Sequence, residues 1–522
     1  MRLAALDLGT NSFHLLVAEV HADGGFAPLT REKEMLRLGD VVSRTGHIPP
    51  PVADQAVATV RRFRLLAEAA GATELHARAT SAIRQAANGD EVVDRIEHET
   101  GVRVEVISGL QEARLVFSAV RASVLIHPGP ALCFDLGGGS LEVMVGDARG
   151  LHWATSLNLG VSRLTAELVE SDPPSKRDRR RLRDRLEAAL GPVAEHVARF
   201  GPTTTIGSSG TLEDLAHMVA ARRGGDVPRS LNQLTFTREE LLPLHREIMS
   251  SPASERRRME GLEARRVDLV PAGSTFLVTA MELFGFDELT VSEWALREGI
   301  LLDAIVHHDL ADWSEDPRAI RRASVQNLAR RCRWAEEHSC HVARLALALF
   351  DATATLHGLS PTDRELLEYG ALLHDIGEHV ARDGHHRHAA YLVVHGDLRG
   401  FDPEEVRILA ALARWHRRGD PKPSDDLVGP LSPGALERVR TLTALLRVAD
   451  GLDRGRSQVV RDIDVSVGPS LVLVRASAAG DAELELWGAR RKRGLMERVF
   501  DRELELTTPP AGRPIDRVSA AG

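Results

Sequence analysis

Two stretches of this chain share one pattern: DLGTNSFHLLV, beginning at Asp7, and DLGGGSLEVMV, beginning at Asp135. Asp, Leu, Gly, Ser and the closing Val fall at the same offsets in both. Apolar runs flank each turn, residues 3–6 and 13–20 around the first and 131–135 and 141–146 around the second. This reads as strand, tight turn, strand. A glycine turn lets backbone N–H groups approach a phosphate, and Ser or Thr hydroxyls add donors. A carboxylate ending the first strand can hold a divalent cation against that phosphate. One such loop is an ordinary turn. Two at matched offsets predict two similar domains whose hairpins face each other across a cleft and grip a phosphate chain from both sides.

The texture around them is strand followed by helix. Val57, Val60, Phe63 and Leu66 mark one face of a helix over Gln55–Ala70. ELHARATSAIRQA (74–86) reads as strand, loop and helix, and VRVEVISGLQEARLVFSAV (102–120) as strand, Ser-Gly turn and a helix from about Gln111. Leu182, Leu186, Leu190, Val193 and Val197 predict a further helix, whose arginine-rich outer face reads as solvated. GPTTTIGSSGTLEDLAHMV (201–219) repeats strand, Gly/Ser turn and helix, and ELTVSEWALREGILLDAIV (288–306) closes this part with strand and helix. The polar stretch 307–320 reads as a linker. Beyond about 318 the period becomes helical in four segments, within 338–356, 364–380, 404–418 and 435–454. From about 462 alternation returns in DIDVSVG, LVLVRASA and AELELW, followed by a helix and RELELTT, which predicts a small α/β tail with a frayed last dozen residues.

A net charge of −9 gives no electrostatic support for nucleic acid or an acidic membrane as partner. A polyanion would have to be met by a local basic site or a metal ion. Three cysteines without a CxxC pair fit a reducing cytoplasm. The N-terminus lacks a signal-peptide core, and no window of 18 apolar residues predicts a membrane span.

The paired loops resemble the phosphate-1 and phosphate-2 motifs of the actin-like (ribonuclease H-like) fold, with IGSSGTLEDLA (206–216) in the place of its third Gly-rich loop. In finer detail, DLGTNSFHLLV, TSAIRQA, ISGLQEARLVF, DLGGGSLEVMV, SLNLGVSRLT, GSSGTLEDLA and VSEWALREGIL follow in the order seen in the exopolyphosphatase / guanosine pentaphosphate phosphohydrolase family. The resemblance covers about residues 1–305. It implies Mg²⁺-assisted hydrolysis of a terminal phosphate from inorganic polyphosphate or the 5′ end of pppGpp. It also implies residue roles. Asp7, Gly9, Thr10, Asn11 and Ser12 would form the first phosphate loop, and Gly137, Gly138, Gly139 and Ser140 the second. Ser209, Gly210 and Thr211 belong to the third, and Arg84 would bind phosphate. Asp7, Asp135 and Glu142 would serve Mg²⁺, and Glu112 would be the catalytic glutamate. Phosphoryl transfer asks for this set: charge neutralisation, alignment and a group that orients water. From the residues alone, Glu112 reads first as a helix N-terminal acid stabilised by the dipole, and only the resemblance makes it catalytic; Arg163 and Arg297 read as salt-bridge partners or anion contacts. Gln111 departs from a glutamate common at that place in the family, with no consequence expected for the chemistry.

In the helical part, HSCHVARLA, LLHDIG and LLRVADGLD resemble the HD superfamily of metal-dependent phosphohydrolases. The resemblance implies a site of His338, His374, Asp375 and Asp450 for Mn²⁺, Mg²⁺, Zn²⁺ or Fe, with His341 a rival to His338. Six histidines lie between 379 and 416, of which His386, His388 and His416 are candidates for a second metal or for phosphate.

The expected fold is therefore α/β: two actin-like domains forming a cleft, then an all-α HD-type domain and a small α/β tail. Expected bounds are 1–118 (completed by a helix at about 295–308), 119–294, 318–460 and 461–510. The expected protein is a cytoplasmic phosphoanhydride hydrolase and a homodimer. The alternatives are a nucleotide phosphohydrolase acting through the helical domain and a non-catalytic nucleotide or polyphosphate sensor.

Overall fold

A computed structural model describes residues 1–21, 25–224, 227–308 and 318–508. The chain forms two compact units, Met1–Ala323 with Arg399–Pro403, and Ser324–Leu398 with the residues from Glu404 on. The stretch read as a linker falls largely on 309–317, and the frayed end on 509–522, both outside the described residues.

The first unit holds two sheets with one repeated topology. Strands β1 (Arg2–Leu8), β2 (Ser12–Val20), β3 (Phe26–Met35), β4 (Glu74–Ala79) and β5 (Val104–Val106) lie in the order β3-β2-β1-β4-β5. The second sheet comprises β6 (Ala131–Leu136), β7 (Leu141–Asp147), β8 (Gly150–Leu157), β9 (Thr204–Ser208), β10 (Thr235–Thr237) and β11 (Glu288–Val291), in the order β10-β11-β9-β6-β7-β8. In each, an antiparallel hairpin (β1–β2 or β6–β7) carries one copy of the duplicated motif, and a parallel strand flanks its first arm. These are the two actin-like domains. Every residue of β6 is buried, as a strand covered on both faces requires, so its pattern is a continuous apolar run rather than an alternation.

Each lobe has its own core. Leu6, Phe13, Val60 and Phe63 belong to the first, and Phe134, Leu186, Leu190 and Phe276 to the second. A third cluster joins Leu3 and Ala5 of one sheet to Cys133, Met144 and Ile206 of the other, through Val116 and Phe117 of helix Gly109–Arg121 and Ile300 and Leu301 of helix Leu296–His307. Because protein interiors are close-packed and resist shear, this shared core holds the two hairpins in register with each other.

Sequence periodicity located these helices with local errors. The helix expected from Gln55 begins at Pro50, where a first-turn proline loses no hydrogen bond. Leu66 is exposed rather than on the buried face. Steps of three residues fall about 60° short of a full turn each time, so three steps from Val57 bring a residue to the far side. The arginine-rich face of helix Lys176–Val197 is solvated and laced with pairs such as Arg183–Glu187 and Arg181–Glu170.

The second unit is built mainly from helices Glu336–Ala352, Pro361–Leu373, His385–Val394, Pro403–Trp415 and Ala435–Gly451. Its tail is a three-stranded sheet of β12 (Val460–Val467), β13 (Leu471–Ala478) and β14 (Glu503–Thr507), in that order. AELELW, read as a strand, is instead the start of helix Glu483–Lys492. Ala482, Leu486 and Ala489 are buried at helical spacing while Leu484 is half exposed. The parallel pair β13–β14 needs a crossover, and this segment supplies it.

Candidate active site

The two hairpin turns meet. Asp7 ends β1, and the turn closes with Gly9 N–H donating to the Ser12 carbonyl at 3.2 Å. Opposite it, a Cβ on Gly138 would stand 2.6 Å from the Asn11 side chain, and one on Gly139 would stand 2.6 Å from Ser81 Oγ and 2.8 Å from Thr10 Oγ1. Glycine at 138 and 139 is therefore the condition for this approach, which is why the second copy reads GGG. The contact is tied by Ser162 Oγ donating to Asn11 Oδ1 at 2.7 Å. The third loop closes the wall. Ser208 Oγ donates to Asp135 Oδ1 at 2.9 Å, and Ser209 holds φ 97° with its buried hydroxyl unpartnered. Gly9, Thr10, Asn11, Ser12, Gly137, Gly138, Gly139, Ser140, Ser209, Gly210 and Thr211 all line one cavity, with Asp7, Glu112 and Asp135.

Glu112 arrives on helix Gly109–Arg121. Ser108 caps that helix, and Gln111 completes a reciprocal capping box through its side-chain oxygen. Gln111 thus has a structural task that needs no charge. The Glu112 carboxylate is buried and pairs with Arg84 Nη1 at 3.2 Å, which also donates to the Ile107 carbonyl. Arg84 and Glu142 are not among the residues that line the cavity. Glu142 sits directly across the β6–β7 ladder from Asp135, fully buried, and accepts from Ser156 Oγ at 2.7 Å.

These acids resist ionisation. Burial, then the charges of Glu112, Asp135 and Glu298, push Asp7 up to about 8 against the opposing Arg297. Burial pushes Glu112 up to about 7, with Arg84 pulling it back. Asp135 rises to about 6 through burial, and Glu142 rises well above the ordinary range through burial and its acidic neighbours. Asp7 Oδ1 and Glu142 Oε2 are buried without a hydrogen-bond partner. Sequence reasoning missed His14, Lys33, Glu213 and Arg266 on this wall. His14 was legible as the second inward position after Ser12; Lys33 arrives from β3, which carries no motif. Burial, then Arg297, Lys33 and Arg266, hold His14 well below its usual pKa. Arg297 lines the cavity, whereas Arg163 pairs with Gln85 and Glu167.

A second polar centre lies within the helical unit. His338, His374 and Asp450 point ligand atoms at one another, and so do Asp375, His385 and His416. Asp375 belongs to the second set, and its other oxygen faces the two rings of the first. Its Oδ2 is 3.8 Å from His338 Nε2 and 3.6 Å from His374 Nε2, while its Oδ1 is 3.2 Å from His385 Nε2 and 3.4 Å from His416 Nε2. Asp450 Oδ1 is 3.8 and 3.9 Å from the first two rings. Each Nδ1 faces an oxygen: Asp453 for His338, and the carbonyls of Ala371, Arg382 and Ala413 for His374, His385 and His416. In a neutral ring this leaves the Nε2 lone pair turned inward. His338 Nε2 and His374 Nε2 have no hydrogen-bond partner. Burial lowers His374 to about 4, against the opposing charge of Asp375. Lys492 reaches Asp450 and Arg456 reaches Asp375.

His388 is a correction. It stands outside both sets, and His385 takes the place expected of it. The helix His385–Val394 begins at His385, and its first turn faces Asp375. His341, the rival to His338, pairs its Nδ1 with Arg344 instead.

Comparison with known proteins follows this division. The Ppx/GppA phosphatase family matches residues 16–308, and domain III of that family matches residues 320–468. Exopolyphosphatase 1 of Mycobacterium leprae is 35% identical over 328 residues, covering 63% of this chain and 94% of that protein. Guanosine-5'-triphosphate,3'-diphosphate pyrophosphatase of Aeromonas hydrophila is 28% identical over 411 residues, covering 78% of this chain and 79% of that protein. Among solved structures, an exopolyphosphatase from Cytophaga hutchinsonii superposes with a TM-score of 0.56 at 28% identity, covering 60% of this chain and all of the other. The Aquifex aeolicus Ppx/GppA family member gives 0.52 at 29% identity, covering 59% of this chain and 99% of the other.

Proposed function

Because the chain belongs to the Ppx/GppA phosphatase family, we propose that its two-loop cleft hydrolyses the terminal phosphoanhydride of inorganic polyphosphate or of pppGpp. The observation that carries this reading is Glu112, a buried carboxylate between two facing phosphate loops with a pKa of about 7. A base near the working pH is best placed to take a proton.

The backbone N–H groups and hydroxyls of the three loops would hold the terminal and adjacent phosphates. Glu112, kept in place by Arg84, would orient a water in line with the bridging P–O bond and accept its proton. The water oxygen bonds to phosphorus, and the bridging oxygen leaves with the shortened chain. Arg297 and Lys33 add positive charge on the wall. Asp7 and Asp135, with Glu142 across the ladder from Asp135, fit a divalent ion such as Mg²⁺, since Asp7 Oδ1 and Glu142 Oε2 are buried and unpartnered. That ion would neutralise phosphate charge. The reading keeps the expected domains, with the first at 1–118 completed by the helix near 295–308, the second at 119–294, and the helical and tail domains at 318–460 and 461–510. Cytoplasmic location fits the free thiols of Cys133, Cys332 and Cys340, and light scattering tests the expected homodimer.

Turnover of long polyphosphate, tripolyphosphate and pppGpp, compared side by side with Mg²⁺, is the test. Activity on none of the three overturns the proposal.

A second reading concerns the helical unit, and the inward-facing Nε2 atoms favour it. Imidazoles whose Nδ1 is engaged, gathered around two carboxylates, form a donor set for Mn²⁺, Zn²⁺, Fe or Mg²⁺. We read it as an HD-type centre for one or two ions, which His338, His374 and Asp450 and, beside them, Asp375, His385 and His416 would hold.

A further inference from the structure

We infer that His14 is a positioning residue that compels the Ser12 hydroxyl to donate its proton into the phosphate cleft. The inference deepens the hydrolase reading and rests on it.

Ser12 and His14 are two apart on β2, so they share a face of the sheet, and both line the cavity. His14 Nε2 is 2.7 Å from Ser12 Oγ, and His14 Nδ1 is 3.2 Å from Arg297 Nη1. A guanidinium has only donors and stays charged. Nδ1 must therefore be the acceptor, and the ring's single proton sits on Nε2. That proton can only be given to Ser12 Oγ. With one lone pair filled by His14, the Ser12 hydroxyl hydrogen must turn elsewhere, and no other partner of Ser12 Oγ occurs among the described residues. The opening ahead of it is the cleft.

Arg297 is anchored in turn. Its Nη2 lies 3.5 Å from Glu298 Oε1, and Glu298 Oε2 accepts the Ala295 N–H at 3.1 Å. The direction of donation is thereby set from Arg297 through His14 to Ser12 and out to the ligand. An ionised phosphoryl oxygen is an acceptor only, so a hydroxyl locked as donor suits it without reorganisation. The same lock disfavours a ligand that presents an N–H at this point. In a chain where the loop serine were free to rotate, that orientation would have to be selected at each binding event.

The test is a double-mutant cycle in the full chain: Ser12→Ala, His14→Leu, the double variant, and His14→Gln. Tripolyphosphate is the probe, with kcat and KM from turnover and affinity from calorimetry. Ser12→Ala is expected to lower kcat/KM roughly 10–100-fold, the range for a hydrogen bond to a charged group. His14→Leu is expected to fall in the same range, and the double variant to lie within about twofold of Ser12→Ala, because His14 acts only through Ser12. His14→Gln keeps one donor and one acceptor and is expected to recover most of the loss, which a purely space-filling role would not predict. Effects that multiply in the double variant, or a His14→Gln no better than His14→Leu, overturn the inference. Should His14→Leu not fold, His14→Phe, which fills the ring's space without a donor or acceptor, completes the cycle. Wild type that binds tripolyphosphate but hydrolyses none of the substrates would refute the hydrolase reading alone, and the calorimetric cycle would still decide on His14.

Discussion

The cleft and the histidine centre bury acidic groups to a similar depth and treat them in opposite ways. In the cleft, Asp7, Glu112, Asp135 and Glu142 are all pushed toward the protonated form. In the helical unit, Asp375 and Asp450 are held ionised, well below the usual carboxylate range. Burial alone would raise both sets. For Asp375 it is outweighed by His374, His385 and His416, and for Asp450 by Lys492 and then His374. The difference teaches that depth does not decide the charge state; the cations and donors that the chain places beside the acid do. The cleft is left short of positive charge, as suits a site that takes a cation together with an anionic chain. In the histidine centre Lys492 and Arg456 stand directly beside Asp450 and Asp375.

Replacing Glu112 by Gln gives the largest expected break. It removes the base while preserving size, so kcat should fall on the order of 10²–10⁴. Melting temperature should change little, since Gln keeps an oxygen that accepts from Arg84 and burial already disfavours the charged form, while the helix dipole contributes only about 0.3–1 kcal/mol. Tripolyphosphate affinity should hold or improve, because a negative charge facing phosphate is gone. A variant within about threefold of wild-type kcat would move water activation away from Glu112.

Asp375→Ala sharpens the contrast from the other side. As the carboxylate of one ligand set, with its second oxygen facing the rings of the other, its loss should weaken metal binding by more than about 100-fold, beyond the usual cost of removing an outer-shell partner. Metal content after reconstitution with Mn²⁺ or Zn²⁺ reads this directly, and tripolyphosphate turnover should change little. Wild type that retains no metal would remove the centre as a metal site.

Arg84→Ala should cost roughly tenfold in kcat/KM, the lower end for a hydrogen bond to a charged group. It should also move the rising limb of the pH–rate profile upward, because Arg84 pulls the Glu112 pKa down and its removal lets burial act unopposed. An unmoved limb would show that the limb belongs to another group.

The smallest effect is on stability. Asp7, Glu112 and Asp135 hold protons in the folded state up to about 8, 7 and 6. The unfolded chain releases them near the ordinary carboxyl range of about 4. Between those limits the folded state binds more protons than the unfolded one. The contribution is therefore complete below about pH 4 and lost as pH rises through about 6–8. Metal-free protein should lose a few degrees of melting temperature across that window, and added Mg²⁺ should restore more at pH 8 than at pH 6. Equal stabilisation at both values would indicate that the ion does not meet these acids.

Motif spacing reached most of the cleft because its parts are local. A turn such as DLGTNS carries its donors, its acid and its glycine within a few residues, and the same holds for DLGGGS and for the Ser108–Gln111 cap. Misreadings arose where short-range pattern is ambiguous. Five residues of alternation in AELEL (482–486) satisfy a strand or the first turn and a half of a helix, and the need for a crossover between β13 and β14 decided between them. Among six histidines, spacing could not distinguish His385 from His388, since their relation to Asp375 depends on where a helix starts.

The chain by itself determined the duplicated hairpins, the strand–helix order of the first unit and the Gly-rich loops that line the cleft, because backbone geometry and hydrogen-bonding chemistry act over a few residues. Tertiary structure decided what those residues do to one another. Gly138 and Gly139 meet Asn11 and Thr10, Arg84 meets Glu112, and Arg297 meets His14 only after the shared core has brought the two sheets together. The raised carboxyl pKa values and the direction of the Ser12 hydroxyl are consequences of that approach. Coulombic and desolvation effects depend on distance and burial in space, and neither can be read from separation along the chain.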